Sequence, residues 1–279
     1  MGKARTPGPL RTLDSPVELG GSLGSNYERS AWQRRGTTDP TGFRDHRRPI
    51  RVADAGHNKV SPKLIIVDYL GGLSEKDLET VVSEVKRALN DTTRSAKDPT
   101  LKAKGVEVTS QTSLQGVDDF RRKGYILVYL IHDVKDGKKR EKVVREILTA
   151  EGALKGQRLD TIVKDDASEL TKPENFHDRA SDVAFINLDL TPGRGPASLR
   201  LIAGNVIHEG IGHRAISAPK GEDFYHNPEN KGVMSETFGD AAKPADVQFQ
   251  GDERTKVNDW LQYIVDNPDW NQTPAEKGQ

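Results

Sequence analysis

Seven consecutive apolar residues, Tyr125-Ile126-Leu127-Val128-Tyr129-Leu130-Ile131, carry no charge at all. A run of this length, rich in β-branched and aromatic side chains, reads as a strand that is fully buried. Other segments take their place around it. Leu64-Ile65-Ile66-Val67 is a second short apolar run, closed by Gly71-Gly72, and predicts a buried strand beginning at Lys63. Ser74 follows as an N-cap with Asp77 three residues on, Leu73 and Leu78 forming a staple pair. Apolar residues then recur at Leu78, Val81, Val82, Val85 and Leu89, which is helical spacing, up to a stop near Asn90-Asp91. Val106–Thr109 predicts another strand, and residues from about Lys138 to Ala150 a basic helix. Val183–Leu190 predicts a further strand, and the turn Thr191-Pro192-Gly193-Arg194-Gly195-Pro196 leads into a helix with Leu199, Ile202, Ala203 and Val206 on one face. The order is strand, helix, strand, strand, insertion, strand, helix: an α/β domain with a mixed sheet.

The first 60 residues follow no such pattern. They hold eleven Lys and Arg against six Asp and Glu, while the whole chain has 42 of each kind. Rich in Gly, Pro, Ser and Arg, they cannot bury enough apolar surface to offset the entropy of ordering a backbone. Residues 1–60 therefore read as a disordered basic tail, and residues 61–279 as the folded domain. The chain as a whole is polar, with a mean hydropathy of −0.70. No stretch approaches the ~18–20 apolar residues of a bilayer span. No apolar region follows Lys3 and Arg5, so no Sec-type signal is expected. Cysteine is absent, which removes disulfides, thiolate metal sites and cysteine nucleophiles. Any bound metal must be held by His, Asp or Glu.

Three of the seven histidines, His208, His213 and His226, fall within 19 residues. The second long helix ends in His208-Glu209-Gly210-Ile211-Gly212-His213. Two imidazoles on one helical face can bind Zn²⁺ while the adjacent Glu activates water. The usual His–His spacing for that purpose is four; five places the side chains about 140° apart on a regular helix. A π-bulge would bring both rings to the same side, and Gly210 and Gly212 would ease such a distortion. The motif also fits the His-Glu-x-x-Gly-His pattern that dipeptidyl peptidase III enzymes use.

From its strand and helix order and its His pair, the region 63–236 resembles metzincin metalloproteases, from their N-terminal subdomain through their methionine turn. Val233-Met234-Ser235 is similar to that turn, with Met234 beneath the metal, and His226 to their third histidine. The chain departs from the family in the extra residue inside the motif, in a third histidine 13 residues beyond His213 rather than six, and in Ile216, where the family has glycine. A competitor for the third position is Glu236, because Ser235-Glu236-Thr237-Phe238-Gly239-Asp240 resembles the Asn-Glu-x-x-x-Asp segment of thermolysin-like gluzincins. His226 is preferred, since Pro244 interrupts the helix a gluzincin site needs.

The resemblance implies a zincin-like domain with an N-subdomain over 61–213 and a C-subdomain over 214–279. It also implies a zinc peptidase acting on a protein or peptide substrate, with Glu209 as catalytic base and His208, His213 and His226 on the metal. The strand 183–190 is expected to be the edge that pairs with an extended peptide. A catalytically silent zincin scaffold that binds a partner protein is the alternative. The Gly193-Arg194-Gly195 turn lacks the spacing of a phosphate loop, and nucleic-acid binding would rest on the tail alone. His132 is expected at a strand end, His177 in a polar loop, His46 and His57 in the tail, and Trp260 and Tyr263 on a C-terminal packing helix. The location expected is the cytoplasm, or export without a cleaved signal, as for a bacterial toxin loaded into an injection apparatus.

Overall fold

The computed structural model describes residues 60–134, 136–152, 176–178, 183–191, 193–216, 225–227, 229, 231–235 and 246–271. Five strands form one sheet: β1 (Lys63–Val67), β2 (Glu107–Gln111), β3 (Ile126–Ile131), β4 (Phe176–Asp178) and β5 (Val183–Asn187). Their spatial order is β2-β1-β3-β5-β4. The first four in that order run parallel, and β4 pairs antiparallel with β5. Helices α1 (Glu75–Thr93), α2 (Pro99–Lys104), α3 (Val117–Arg122), α4 (Gly137–Glu151), α5 (Pro196–Ile207) and α6 (Gly251–Asp266) complete the described architecture. It is a mixed α/β fold.

The period of two along a strand divides the core into two layers. Leu64 and Ile66 of β1, Val128 and Leu130 of β3, and Ala184 and Ile186 of β5 point to one side, against Val81 and Val85 of α1, Ile202 and Val206 of α5, and Leu261 of α6. Ile65, Val67, Leu127, Tyr129, Ile131 and Phe185 point to the other, against Val143, Val144, Ile147 and Leu148 of α4. Every residue of β3 and of β5 is buried, which is why the β3 segment reads as an unbroken apolar run.

The turn after β1 is tied by Asp68, whose carboxylate accepts from Gly72 N and Leu73 N, each at 2.9 Å. Ser74 then caps α1 through a 3.2 Å bond from Asp77 N to Ser74 Oγ, and Leu73 and Leu78 both enter the core. The helix runs to Thr93, past the expected stop at Asn90-Asp91, and buries Thr92 and Thr93.

Three expectations need correction. The strand expected over 183–190 ends at Asn187, because the Asn187 side chain accepts from Asp189 N at 3.0 Å and turns Leu188–Leu190 into a 3-10 helix. Nor is it the edge. It is paired on both sides, by β3 and by β4, and the edge position belongs to β4. His177, expected in a loop, lies within β4, opposite Ala184. Three residues are too few to show an alternation.

Candidate metal centre

Helix α5 starts at Pro196 behind Gly195 and is buried from Ile202 onward. It does not stop at the first histidine. Residues His208–Gly212 form a single π-helical turn, in which His213 N–H donates to His208 O, five residues back. His213–Ala215 then resumes an α-helical turn, with Ile216 N bonded to Gly212 O at 2.9 Å. The extra residue between the histidines is thus absorbed locally, and the two rings meet edge to face, with centroids 4.5 Å apart and planes at 88°. Ile216 leaves the helix at φ −113°, ψ 109°, an extended conformation that β-branched residues adopt readily.

The two glycines of the motif serve close approach rather than unusual dihedrals. Gly212 has φ −59° and ψ −55°, ordinary helical values. A Cβ on Gly210 would come 2.6 Å from Val128 Cγ2 of β3, and one on Gly212 would collide with Met234 Sδ. Their bare backbones let the π-turn press against the sheet on one side and against Met234 on the other. Arg214, itself buried, holds the turn from behind. Its guanidinium donates to Gly210 O and reaches Leu127 O of β3 at 3.5 Å.

The segment 232–235 is the base of the site. Gly232 has φ +68°, and a Cβ there would lie 2.5 Å from Gln248 O, so only glycine fits the turn. Val233 N bonds Gln248 O at 3.0 Å, and Met234 O accepts from Asn227 N at 2.6 Å, beside His226. The Met234 side chain is fully buried. Val233 O stands 2.7 Å from His208 Nδ1. A carbonyl can only accept, so Nδ1 carries the proton and Nε2 keeps its lone pair for a ligand role. Burial pushes the His208 imidazole down to about 4, only partly opposed by the Val233 bond and reinforced by His226. It is neutral at pH 7, the form a metal needs.

His226 arrives from a separate, irregular segment. Its ring lies 5.3 Å from those of both His208 and His213, stacked on the first at 23° and edge-on to the second at 81°. One nitrogen from each of the three rings falls within 4.8 Å of the others, a spread that a single ion can draw together. The His208 and His213 side chains are buried, the latter only 4% exposed, and His226 is half-buried, so solvent reaches the cluster from the His226 side. Glu209 adjoins it. Its carboxylate oxygens lie 3.8 Å from His208 Nε2 and 3.6 Å from His213 Nε2, close to both nitrogens but beyond direct hydrogen-bond length.

The structure therefore brings together His208, Glu209, His213, His226 and Met234. Glu236, the rival third ligand, lies outside the described residues, as do His46 and His57. His132 directly follows β3, with Nε2 2.7 Å from Leu70 O, and stands outside the cluster. Arg194 donates to Thr191 O, Gly193 O and Gly72 O, so its turn is clamped by its own side chain and offers no phosphate loop. Trp260 is buried edge-on to Trp270. Sequence reasoning missed Arg214 and Glu253. Arg214 follows the motif directly, and its signal was that adjacency. Glu253 reads only as an acid in the first turn of α6. Compared with models of known families, with curated proteins and with solved structures, the chain matches none.

Proposed function

We propose that the chain is a zinc-dependent peptidase of the zincin type, with His208, His213 and His226 as metal ligands and Glu209 as general base. The observation that carries this reading is the convergence of the three imidazoles beside one carboxylate, made possible by the π-turn at His208–Gly212. The donor set suits zinc: three nitrogen ligands, one held neutral and oriented by a backbone carbonyl, with a fourth position left for water. When bound, zinc would act as a Lewis acid on the scissile carbonyl and make water easier to deprotonate. Glu209 would take a proton from the attacking water onto its carboxylate and return it to the leaving amine nitrogen. Strand β4 lies against the π-turn, and among the described residues no strand pairs with its outer edge. An extended peptide adding there would run past the cluster, a role that passes from the expected 183–190 edge to β4. The alternative is a catalytically silent zincin scaffold that binds a partner protein; the five-residue spacing gave it some weight, and a purified chain with no metal would indicate it.

The test is metal analysis of the purified full chain followed by cleavage of a peptide mixture. The wild type should hold zinc and hydrolyse peptides. Glu209→Gln should keep zinc while hydrolysis falls by roughly 10²–10⁴. Equal rates for the two proteins would remove Glu209 from the mechanism.

A further inference from the structure

His226 is the one proposed ligand that no helix carries. It lies in residues 225–227, which have neither helix nor strand, so something else must hold it at the cluster. Both of its neighbours reach the same atom. Asn227 Nδ2 donates to Glu253 Oε1 at 2.7 Å, and Tyr225 Oη donates to that oxygen at 3.2 Å. The other carboxylate oxygen, Oε2, accepts from Gln250 N at 2.9 Å. Glu253 is only 2% exposed.

A Glu at this place in a capping box needs only the N-cap backbone N–H. Burying a carboxylate is costly unless its acceptor positions are filled. Here two of the three donors come from the residues flanking His226. Lys256, one turn further along α6, sits 5.1 Å over the Tyr225 ring, and Val257 and Leu261 root the helix in the core.

We infer that Glu253 is the positioning residue for His226, a latch that fixes the third ligand to the first turn of α6. This rests on the metal-site reading above. Its geometry is independent of any ion.

The experiment uses the full chain, stripped with a chelator and titrated with zinc against a chromophoric competitor. Glu253→Ala should weaken zinc binding by about 10–100-fold, the range for losing a group that orients a ligand. Glu253→Gln keeps an oxygen for Asn227 and Tyr225 and should bind zinc nearly as the wild type does. Gln250→Ala takes away the other half of the capping box but leaves the latch, and its affinity should be unchanged. Wild-type affinity in Glu253→Ala overturns the inference, and so does an equal loss in Gln250→Ala, which would make the effect one of capping α6. A wild type that takes up no zinc refutes the peptidase reading instead. The latch is then decided by hydrogen exchange at the Asn227 amide of the metal-free proteins. Protection in the wild type that is lost in Glu253→Ala supports it, and equal exchange in both overturns it.

Discussion

Gly212→Ala sets two effects of known size against each other. The backbone at Gly212 is already right-handed helical, so alanine fits its dihedrals and gains about 0.8–1 kcal/mol of helix propensity. The new Cβ would overlap Met234 Sδ, lie 2.8 Å from Met234 Cε and touch Phe249 Cε1 at 3.6 Å. Met234 and Phe249 are both buried, which leaves little room for the thioether to swing aside. Overpacking a tight core costs about 1–3 kcal/mol, and contact with two atoms of one buried side chain puts this site near the upper end. The net expectation is a loss of roughly 1–2 kcal/mol, read as a lower midpoint in urea unfolding of the metal-free chain. Met234→Ala alone should cost about 2–5 kcal/mol through the cavity it leaves. In the double variant the new methyl occupies part of that cavity, so the combined loss should fall short of the sum by ~1 kcal/mol or more. A Gly212→Ala protein as stable as the wild type, or strictly additive losses, would refute the close packing of the π-turn on Met234.

Two further outcomes concern the same site. Because burial holds His208 down at about 4 against an ordinary 6.5, the unfolded metal-free chain takes up a proton between those values that the folded chain refuses. Stability should therefore fall as pH drops from 6.5 towards 4, by up to about 3 kcal/mol from this group. His208→Gln should lack that component, and identical pH profiles for the two proteins would refute it. Arg214→Met removes charge-assisted bonds to Gly210 O and Leu127 O and should cost about 1.5–3 kcal/mol. An unchanged urea midpoint would show that the guanidinium does not hold the turn.

The parts of the fold legible in the sequence are those whose pattern is long enough to repeat. β3 declares itself as seven apolar residues, and α1 as a Ser74 cap followed by three turns of helical spacing. α2 and α3 have six residues each and β4 has three, too short for a period to emerge. The end of β5 was hidden because Ile186, Leu188 and Leu190 alternate with Asn187 and Asp189 as in a strand, while the break comes from an Asn187 side chain bonding two residues on. At the site, His208, Glu209 and His213 were legible as a motif. Its five-residue spacing allowed a π-turn without dictating one; what selects it is packing against Val128, Met234 and Arg214. Gly210 and Gly212 were legible as residues that ease the distortion sterically, and they do so by leaving room for Val128 and Met234. Glu253 was hidden because its partners, Tyr225 and Asn227, lie 26–28 residues away.

The central claim is that three imidazoles from His208, His213 and His226 share one metal. X-ray absorption on the zinc-loaded full chain, with metal content measured beside it, tests this directly. One zinc per chain with three imidazole nitrogens at ~2.0–2.1 Å is the predicted result, falling to two imidazoles in His226→Ala and unchanged in Glu236→Ala. A zinc with two imidazoles and a carboxylate that vanishes in Glu236→Ala would contradict the assignment of His226. A chain that retains no zinc would contradict the metal centre itself.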